Sequence, residues 1–162
     1  MKQVVTKPSD KIGKWKFPWK KFIYEKTVLL KQTNLIGNVY FVNYVEWQGE
    51  AREALLLAHP TTAEFLKKEK HIKLVTYCLY HRFLVDSTFG EVIRIELTTR
   101  DILTHSLVIV FKYFNVGTNV LIGEGWQKIC FLDTRVNEIC ITPQLILDLA
   151  ESIREDKNEE AS

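Results

Sequence analysis

Cysteine is scarce in this chain of 162 residues: Cys78, Cys130 and Cys140 are the only three, and no two are close. Their spacing excludes a zinc knuckle or a redox dithiol and makes a reduced, cytoplasmic compartment the expectation. An excess of charge of one sign is also missing. The 22 basic and 20 acidic side chains leave a net +2, which argues against a dedicated nucleic-acid binder. No apolar run reaches about 18 residues, so no membrane-spanning helix is expected. The basic N-terminus has neither a long apolar core nor a small-residue cleavage site, so it does not read as a secretory signal. His59, His71, His81 and His105 show no metal-like clustering, and there is no phosphate-binding loop or nucleotide fingerprint. Neither metal nor cofactor is therefore expected. What remains is ordinary globular composition, 46% hydrophobic and 26% charged. A chain of this length buries roughly two-thirds of its unfolded surface without a staple.

The charge that is present is unevenly placed. Residues 1–21 hold seven lysines against Asp10, with Pro8, Gly13 and Pro18 interrupting regular structure. This reads as a partly mobile basic arm. It either solubilises the end or offers a surface to an acidic partner, such as a carrier protein or coenzyme phosphates. Trp15, Phe17 and Trp19 alternate with lysines and are placed to tack the arm onto the body. The last stretch, ESIREDKNEEAS, is acidic and is expected to fray.

Between these ends, Phe22–Lys31 is rich in β-branched and aromatic residues and reads as a strand. QTNLIGNVYF then reads as a turn-containing loop. Asn43, with Glu46 three residues on, has capping-box spacing. Tyr44, Trp47, Ala51, Ala54, Leu55 and Ala58 follow at helical steps, and Pro60 ends the run. Gly49 inside this helix costs about 1 kcal/mol relative to Ala and points to a close approach to a sheet. A helical turn at Thr62–Lys68 is an option. Four strand-like blocks follow: Ile72–Val85, Glu91–Asp101, Thr104–Asn115 and Val120–Leu132, with NVGTN a good turn between the last two. PQLILDLAESIR predicts a short terminal helix. Consecutive strands on short turns pair antiparallel. The order therefore predicts an α+β hotdog, a single domain in which a curved antiparallel sheet of about five strands wraps one long central helix. A ferredoxin-like pattern is the runner-up, but its second helix between strands is missing. The strand run leaves an edge for dimer pairing. The divisions are residues 1–21 for the arm, 22–133 for the hotdog domain and 134–162 for a C-terminal extension with a short helix.

Chemistry concentrates in Thr33–Glu53, TNLIGNVYFVNYVEWQGEARE. Gly37 provides a bend or lets a substrate approach the backbone. Asn34, Asn38 and Asn43 supply amides, and Tyr40 and Tyr44 supply phenols. Arg52 lies eight residues past Tyr44, about two helical turns, so the two share a direction. Its charge suits an oxyanion or a carboxylate. Each residue also has a plain reading: Arg52 as an ion-pair partner of Glu46 or Glu53, the asparagines as loop caps, Trp47 as core. Cys78 and Cys130 sit in strand-like runs and read as buried rather than nucleophilic. Asp86 and Asp101 read as turn residues.

The same segment resembles the signature of hotdog-fold thioesterases of the 4-hydroxybenzoyl-CoA thioesterase-like class. The match runs through Asn34, Gly37, Val39, Asn43, Tyr44, Trp47, Ala51 and Arg52. It is most similar to the thioesterases of enediyne polyketide biosynthesis, in the pattern T-N-L-x-G-N-V-Y-x-V-N-Y followed by W-Q-G and R-E. GEGWQKICFLD, residues 123–133, resembles their last long strand, so the likeness covers about residues 22–133. Where the wider class carries an aspartate as nucleophile or base, this chain carries Asn34, and an amide does neither job.

The resemblance implies hydrolysis of a polyketide or fatty acyl thioester on an acyl carrier protein, with water as nucleophile. Asn34 and Arg52 would form the central polar pair, with Tyr44 positioning the thioester. Gly37, Asn38, Tyr40, Asn43 and Trp47 would border the substrate, and backbone N–H groups near Gly37 and Asn38 are a weaker oxyanion site. The product would be a free acid, including a β-keto polyene acid that then loses carbon dioxide. Family sites lie between two protomers, and dimers pair into tetramers. The alternatives are an acyl-CoA thioesterase of general acyl metabolism and a noncatalytic acyl-carrier-binding module. Glu46, Glu50 and Glu53 are rivals for a general base.

Overall fold

The computed structural model of the chain describes residues 15–156. The expectation of a mobile arm over residues 1–14, and of fraying over 157–162, lies outside the described residues. The elements in chain order are β1 (Phe22–Thr27), a single 3-10 turn at Leu30–Gln32, α1 (Val42–Leu57), α2 (Pro60–Lys68), β2 (Ile72–Phe83), β3 (Val92–Arg100), β4 (Leu107–Asn115), β5 (Leu121–Asp133), β6 (Glu138–Cys140) and α3 (Gln144–Ser152). All six strands join one antiparallel sheet, in the order β1-β3-β4-β5-β2. β6 pairs with Phe131–Asp133 of β5, beyond the reach of β4, which stops pairing at Ile129.

The alternation of side chains explains which face is wet. Ile93, Ile95 and Leu97 of β3, Ile109, Phe111 and Tyr113 of β4, and Ile129 and Phe131 of β5 point to one side and are buried. Arg94 and Glu96 of β3 and Glu124 of β5 point to the other and form surface ion pairs. α1 lies on the apolar face and buries Tyr44, Trp47, Ala51, Leu55 and Leu56, a ridge at three- and four-residue steps. Burial of each such large side chain contributes roughly 1.5–3 kcal/mol. This is the expected hotdog, a curled sheet around one central helix.

Several local expectations are corrected. Asn43 does not cap α1. The helix starts one residue earlier, and the Asn43 amide instead donates to the carbonyls of Gln32 and Tyr40, each at 3.0 Å, tying the preceding loop down. Pro60 ends nothing. It occupies the first turn of α2, where its missing N–H costs no hydrogen bond, and α1 closes at Leu57. β1 stops at Thr27 because Val28 turns into the core and the 3-10 turn follows. Gly49 meets nothing: a side chain there would stand in open space. The close approach is made from the sheet instead, where a Cβ on Gly125 would collide with Gln48 and with the carbonyl of Tyr80. Cys78 is exposed on β2, which is an edge strand, whereas Cys130 is buried as expected. Trp19 packs edge-on against Phe22, and Phe17 packs on His59 with ring centres 4.8 Å apart. The Trp15 backbone N–H reaches Asp148 of α3 at 3.3 Å.

Candidate functional site

The loop from Thr33 to Phe41 is a tight reversal. The Asn34 side-chain oxygen accepts from the Ile36 N–H at 3.1 Å, and the Asn34 carbonyl accepts from the Gly37 N–H at 3.0 Å. The φ of +91° at Gly37 favours a residue without a Cβ. Val39 donates to the Ser87 carbonyl at 2.8 Å, and Asn38 bridges to Thr88, so the reversal is pinned against the segment between β2 and β3. Asn34 thus has its oxygen committed to the turn. Its Nδ2 has no hydrogen bond among the described residues. The Gly37 N–H is likewise committed. The tip residues Leu35 and Ile36 are fully or nearly fully exposed, and Tyr40 and Phe41 are about half exposed. The side-chain oxygen of Asn38 is buried without a partner among the described residues.

From this loop α1 enters over β5 in a matched register. Four helical residues advance about 6 Å and two strand residues about 6.7 Å, so successive turns of one helix face meet alternate strand residues. Gln48 sits over Gly125, and Arg52 sits over Gln127. Tyr44, one turn earlier, is 4% exposed, and its ring packs against Trp47, His81, Phe83 and Tyr113. Burial raises the Tyr44 phenol above its ordinary value, with Ser87 opposing. Trp47 is fully buried.

Gln48 and His81 form a buried polar pair. The Gln48 amide nitrogen donates to the Tyr80 carbonyl at 3.2 Å and lies 3.3 Å from His81 Nδ1. That donor makes Nδ1 the acceptor, so the neutral imidazole carries its proton on Nε2. Burial lowers the His81 pKa to about 4. The side-chain oxygen of Gln48 and His81 Nε2 are both buried without a partner among the described residues.

Arg52 points to the edge of the sheet. Its Nη1 donates to Thr76 Oγ1 and to Gln127 Oε1, both at 2.8 Å, and both partners are neutral. Among the described residues no acidic side chain forms a salt bridge with it and its Nε is buried and unpartnered; burial lowers its pKa, with the nearby charge of Glu53 opposing. The ion-pair reading with Glu46 or Glu53 is therefore not realised. Glu50 is engaged on the opposite side of α1, where Lys26 and Tyr24 of β1 hold it. The structure thus separates the candidates into two groups. Asn34, Gly37, Asn38, Tyr40 and Asn43 gather at the start of α1. Arg52 stands about 15 Å farther along the helix. Within one protomer Asn34 and Arg52 share no contact.

Gln48 on the Tyr44–Arg52 face of α1, His81 beside it, and Thr76 and Gln127 bonded to Arg52 are candidate-site residues that sequence reasoning did not single out. Gln48 had a signal, since Tyr44, Gln48 and Arg52 recur at four-residue steps. Thr76 and Gln127 had none, because each lies in an ordinary strand pattern and is brought to Arg52 only by pairing of β2 with β5.

The chain is similar in fold to the dynemicin thioesterase, solved in a study of polyene binding, with 21% identity and a TM-score of 0.78 over 84% of this chain and 99% of that one. It is similar also to a 1,4-dihydroxy-2-naphthoyl-CoA thioesterase from Synechocystis, at 18% identity and a TM-score of 0.73, covering 80% of this chain and 95% of that one. A third structure, a hypothetical protein from Staphylococcus aureus in complex with CoA, shares 12% identity at a TM-score of 0.75, covering 84% of this chain and 87% of that one. These likenesses establish the hotdog fold. No family model matches the sequence, and no curated protein matches it significantly.

Proposed function

We propose that this chain is a thioesterase that hydrolyses a polyketide or fatty acyl thioester held on the phosphopantetheine arm of an acyl carrier protein. The observation that carries the reading is Arg52, a half-buried cation without a carboxylate partner, on the central helix of a hotdog whose relatives in fold include named thioesterases. Glu53 offsets the desolvation of Arg52 only in part and makes no salt bridge with it; a partly desolvated charge with no carboxylate in hydrogen-bond reach is costly, so its persistence points to an anion that arrives with the substrate. In thioester hydrolysis that anion is the tetrahedral oxyanion. Water bonds to the carbonyl carbon, the oxyanion forms, the carbon–sulfur bond breaks, and the departing thiolate takes a proton as the acid is released. Arg52 and the free amide N–H of Asn34 are the donors for that oxygen and for the water.

The two donors belong to different protomers in this reading, Asn34 from one and Arg52 of the partner subunit. Support comes from β2, a twelve-residue edge strand with open backbone groups and exposed Tyr77, Leu79 and Phe83. A second copy pairing along it forms a homodimer, the unit from which a dimer of dimers is built. Tyr44 then acts from within the core, as the buried support on which the loop and helix meet.

The test is release of free thiol from matched acyl-carrier and acyl-CoA substrates. Turnover on the carrier, lost in Arg52→Ala, is the expected result, and no turnover of any acyl thioester sinks the proposal. Asn34→Asp is informative, because a gain in activity would overturn water activation without a carboxylate. The CoA-bound fold relative favours one second reading, an acyl-CoA thioesterase. Equal rates on CoA and carrier substrates would select it.

A further inference from the structure

The outer face of the sheet, opposite α1, carries a cross-strand row that the thioester chemistry does not use. Arg100 of β3, Val108 of β4, Lys128 of β5 and Cys78 of β2 are direct neighbours in the register and point to that face. Strands lie about 4.8 Å apart, so the Arg100 and Lys128 backbones stand about 10 Å apart, with Val108 between them. The two cations wall an open hollow of about 490 Å3, within the size range of ligand sites, and buried Val108 is its floor. Neither wall is neutralised. Lys128 lies over the Tyr77 ring at 5.7 Å and forms no salt bridge among the described residues. Arg100 has one carboxylate within 4.0 Å among the described residues, that of Asp101, and its Nε is buried without a hydrogen-bond partner there. On the far side of Arg100 a second hollow holds Glu124, Glu155 and Asp156. Arg82 holds Glu124 at 2.6 Å and Thr98 donates to Glu155 at 2.9 Å, so Asp156 is the rival for Arg100 on that side. Trp126 stacks on Tyr80 with ring centres 6.1 Å apart. Tyr80 borders only the acidic hollow and Trp126 borders both, so the indole divides them and offers surface to the cationic one.

We infer that the hollow between Arg100 and Lys128 binds a phosphate monoester that carries a planar ring, the chemistry of a mononucleotide. A phosphate group projects three terminal oxygens in different directions and is mostly a dianion near neutral pH, so it meets cations on two opposite walls at once. A carboxylate has two oxygens in one plane and half that charge. Trp126 supplies the stacking surface for the ring. A second copy paired along β2 would extend the sheet in its own plane and leave this face open. The hollow lies across the sheet from Arg52, so the inference stands apart from the thioester reading.

Calorimetry on the full chain at low ionic strength tests it with adenosine 5′-monophosphate, ribose 5-phosphate, inorganic phosphate and benzoate. The nucleotide should bind at least tenfold tighter than each of the other three, since a stacked base contributes about that much. Arg100→Gln and Lys128→Gln should each weaken it at least tenfold, the size of a lost charge-assisted hydrogen bond. Both side chains are partly exposed, and thermal melting confirms the fold of each variant. Trp126→Leu should erase the lead over ribose 5-phosphate. Arg52→Ala should leave nucleotide affinity unchanged, which separates this hollow from the thioester site. Cys78 is the exposed cysteine and borders the hollow. The nucleotide should therefore slow its alkylation at least fivefold in the unaltered chain, read by mass spectrometry. No nucleotide binding overturns the inference, as does benzoate or ribose 5-phosphate binding as tightly as the nucleotide. Affinity that survives in folded Arg100→Gln and Lys128→Gln, affinity lost in Arg52→Ala, or alkylation of Cys78 that the nucleotide does not slow places the ligand elsewhere and overturns it too.

Discussion

Arg52 is the residue on which the proposed chemistry turns, and its surroundings separate its two possible roles. A structural arginine would be paired with a carboxylate, and removing it would strand that partner. Here the partners are the neutral Thr76 and Gln127, so Arg52→Ala leaves no unpaired charge behind. The expected outcome is a fall in kcat/KM of about 100-fold or more, the size typical of a lost oxyanion donor, with a modest loss of stability of about 1–3 kcal/mol, because the buried Gln127 oxygen loses its donor. A loss well beyond about 3 kcal/mol, enough to unfold the chain, would instead assign the lost activity to the core. His81 makes a second residue-scale prediction. Its pKa is about 4 in the folded chain, against about 6.5 when unfolded. Between those values the unfolded state binds more protons, so stability falls as pH falls from 6.5 towards 4. Thermal melts across that window should show the loss, and His81→Gln, which cannot be protonated, should show a smaller one. An identical slope in both proteins would mean that other groups carry it.

The glycines show how far the elements were legible. Gly49 in a helix suggests close packing on a sheet, and that suggestion fails because the space above it is open. Gly49→Ala should therefore stabilise the protein by up to about 1 kcal/mol in chemical denaturation. Gly125→Ala should destabilise it by about 1–3 kcal/mol, since Gln48 and the β2 backbone occupy the room its Cβ needs. If Gly49→Ala destabilises, another surface covers that helix face in the assembled protein. The four long strands and α1 were readable because alternation and helical period are local signals that match burial on one face. β6 was not, because Glu138–Cys140 is only three residues long and exists through its pairing with Phe131–Asp133. The segment carrying Asn34 and Arg52 was singled out by resemblance, and its role is the proposal to be tested. The Arg52 partners were not, because Thr76 and Gln127 meet only through a strand register with a bulge between Thr76 and Cys78.

At the scale of the whole molecule, the proposed site divides each protomer into two halves of a shared arrangement. The Asn34 loop exposes Leu35, Ile36 and Phe41 at one end of α1, while Arg52 faces β2, whose Tyr77, Leu79, Tyr80 and Phe83 are exposed along an unpaired edge. An edge strand this long and this apolar is a liability in a monomer and a seam in a two-fold dimer. In the proposed dimer, two-fold pairing would bring the loop of each subunit towards the helix of the other and generate two equivalent sites. Sedimentation should therefore give a dimer or tetramer, and Leu79→Lys should shift it towards monomer with loss of activity. The decisive measurement mixes two inactive variants, Asn34→Ala and Arg52→Ala, after unfolding and refolding together. Random pairing makes half of the dimers mixed. Each mixed dimer has one site built from two unaltered residues, so activity should return to about a quarter of the unaltered level. A site confined to one protomer cannot be rescued in this way. If the mixture stays as inactive as its components while forming mixed dimers, Asn34 and Arg52 do not share a site across the two-fold axis.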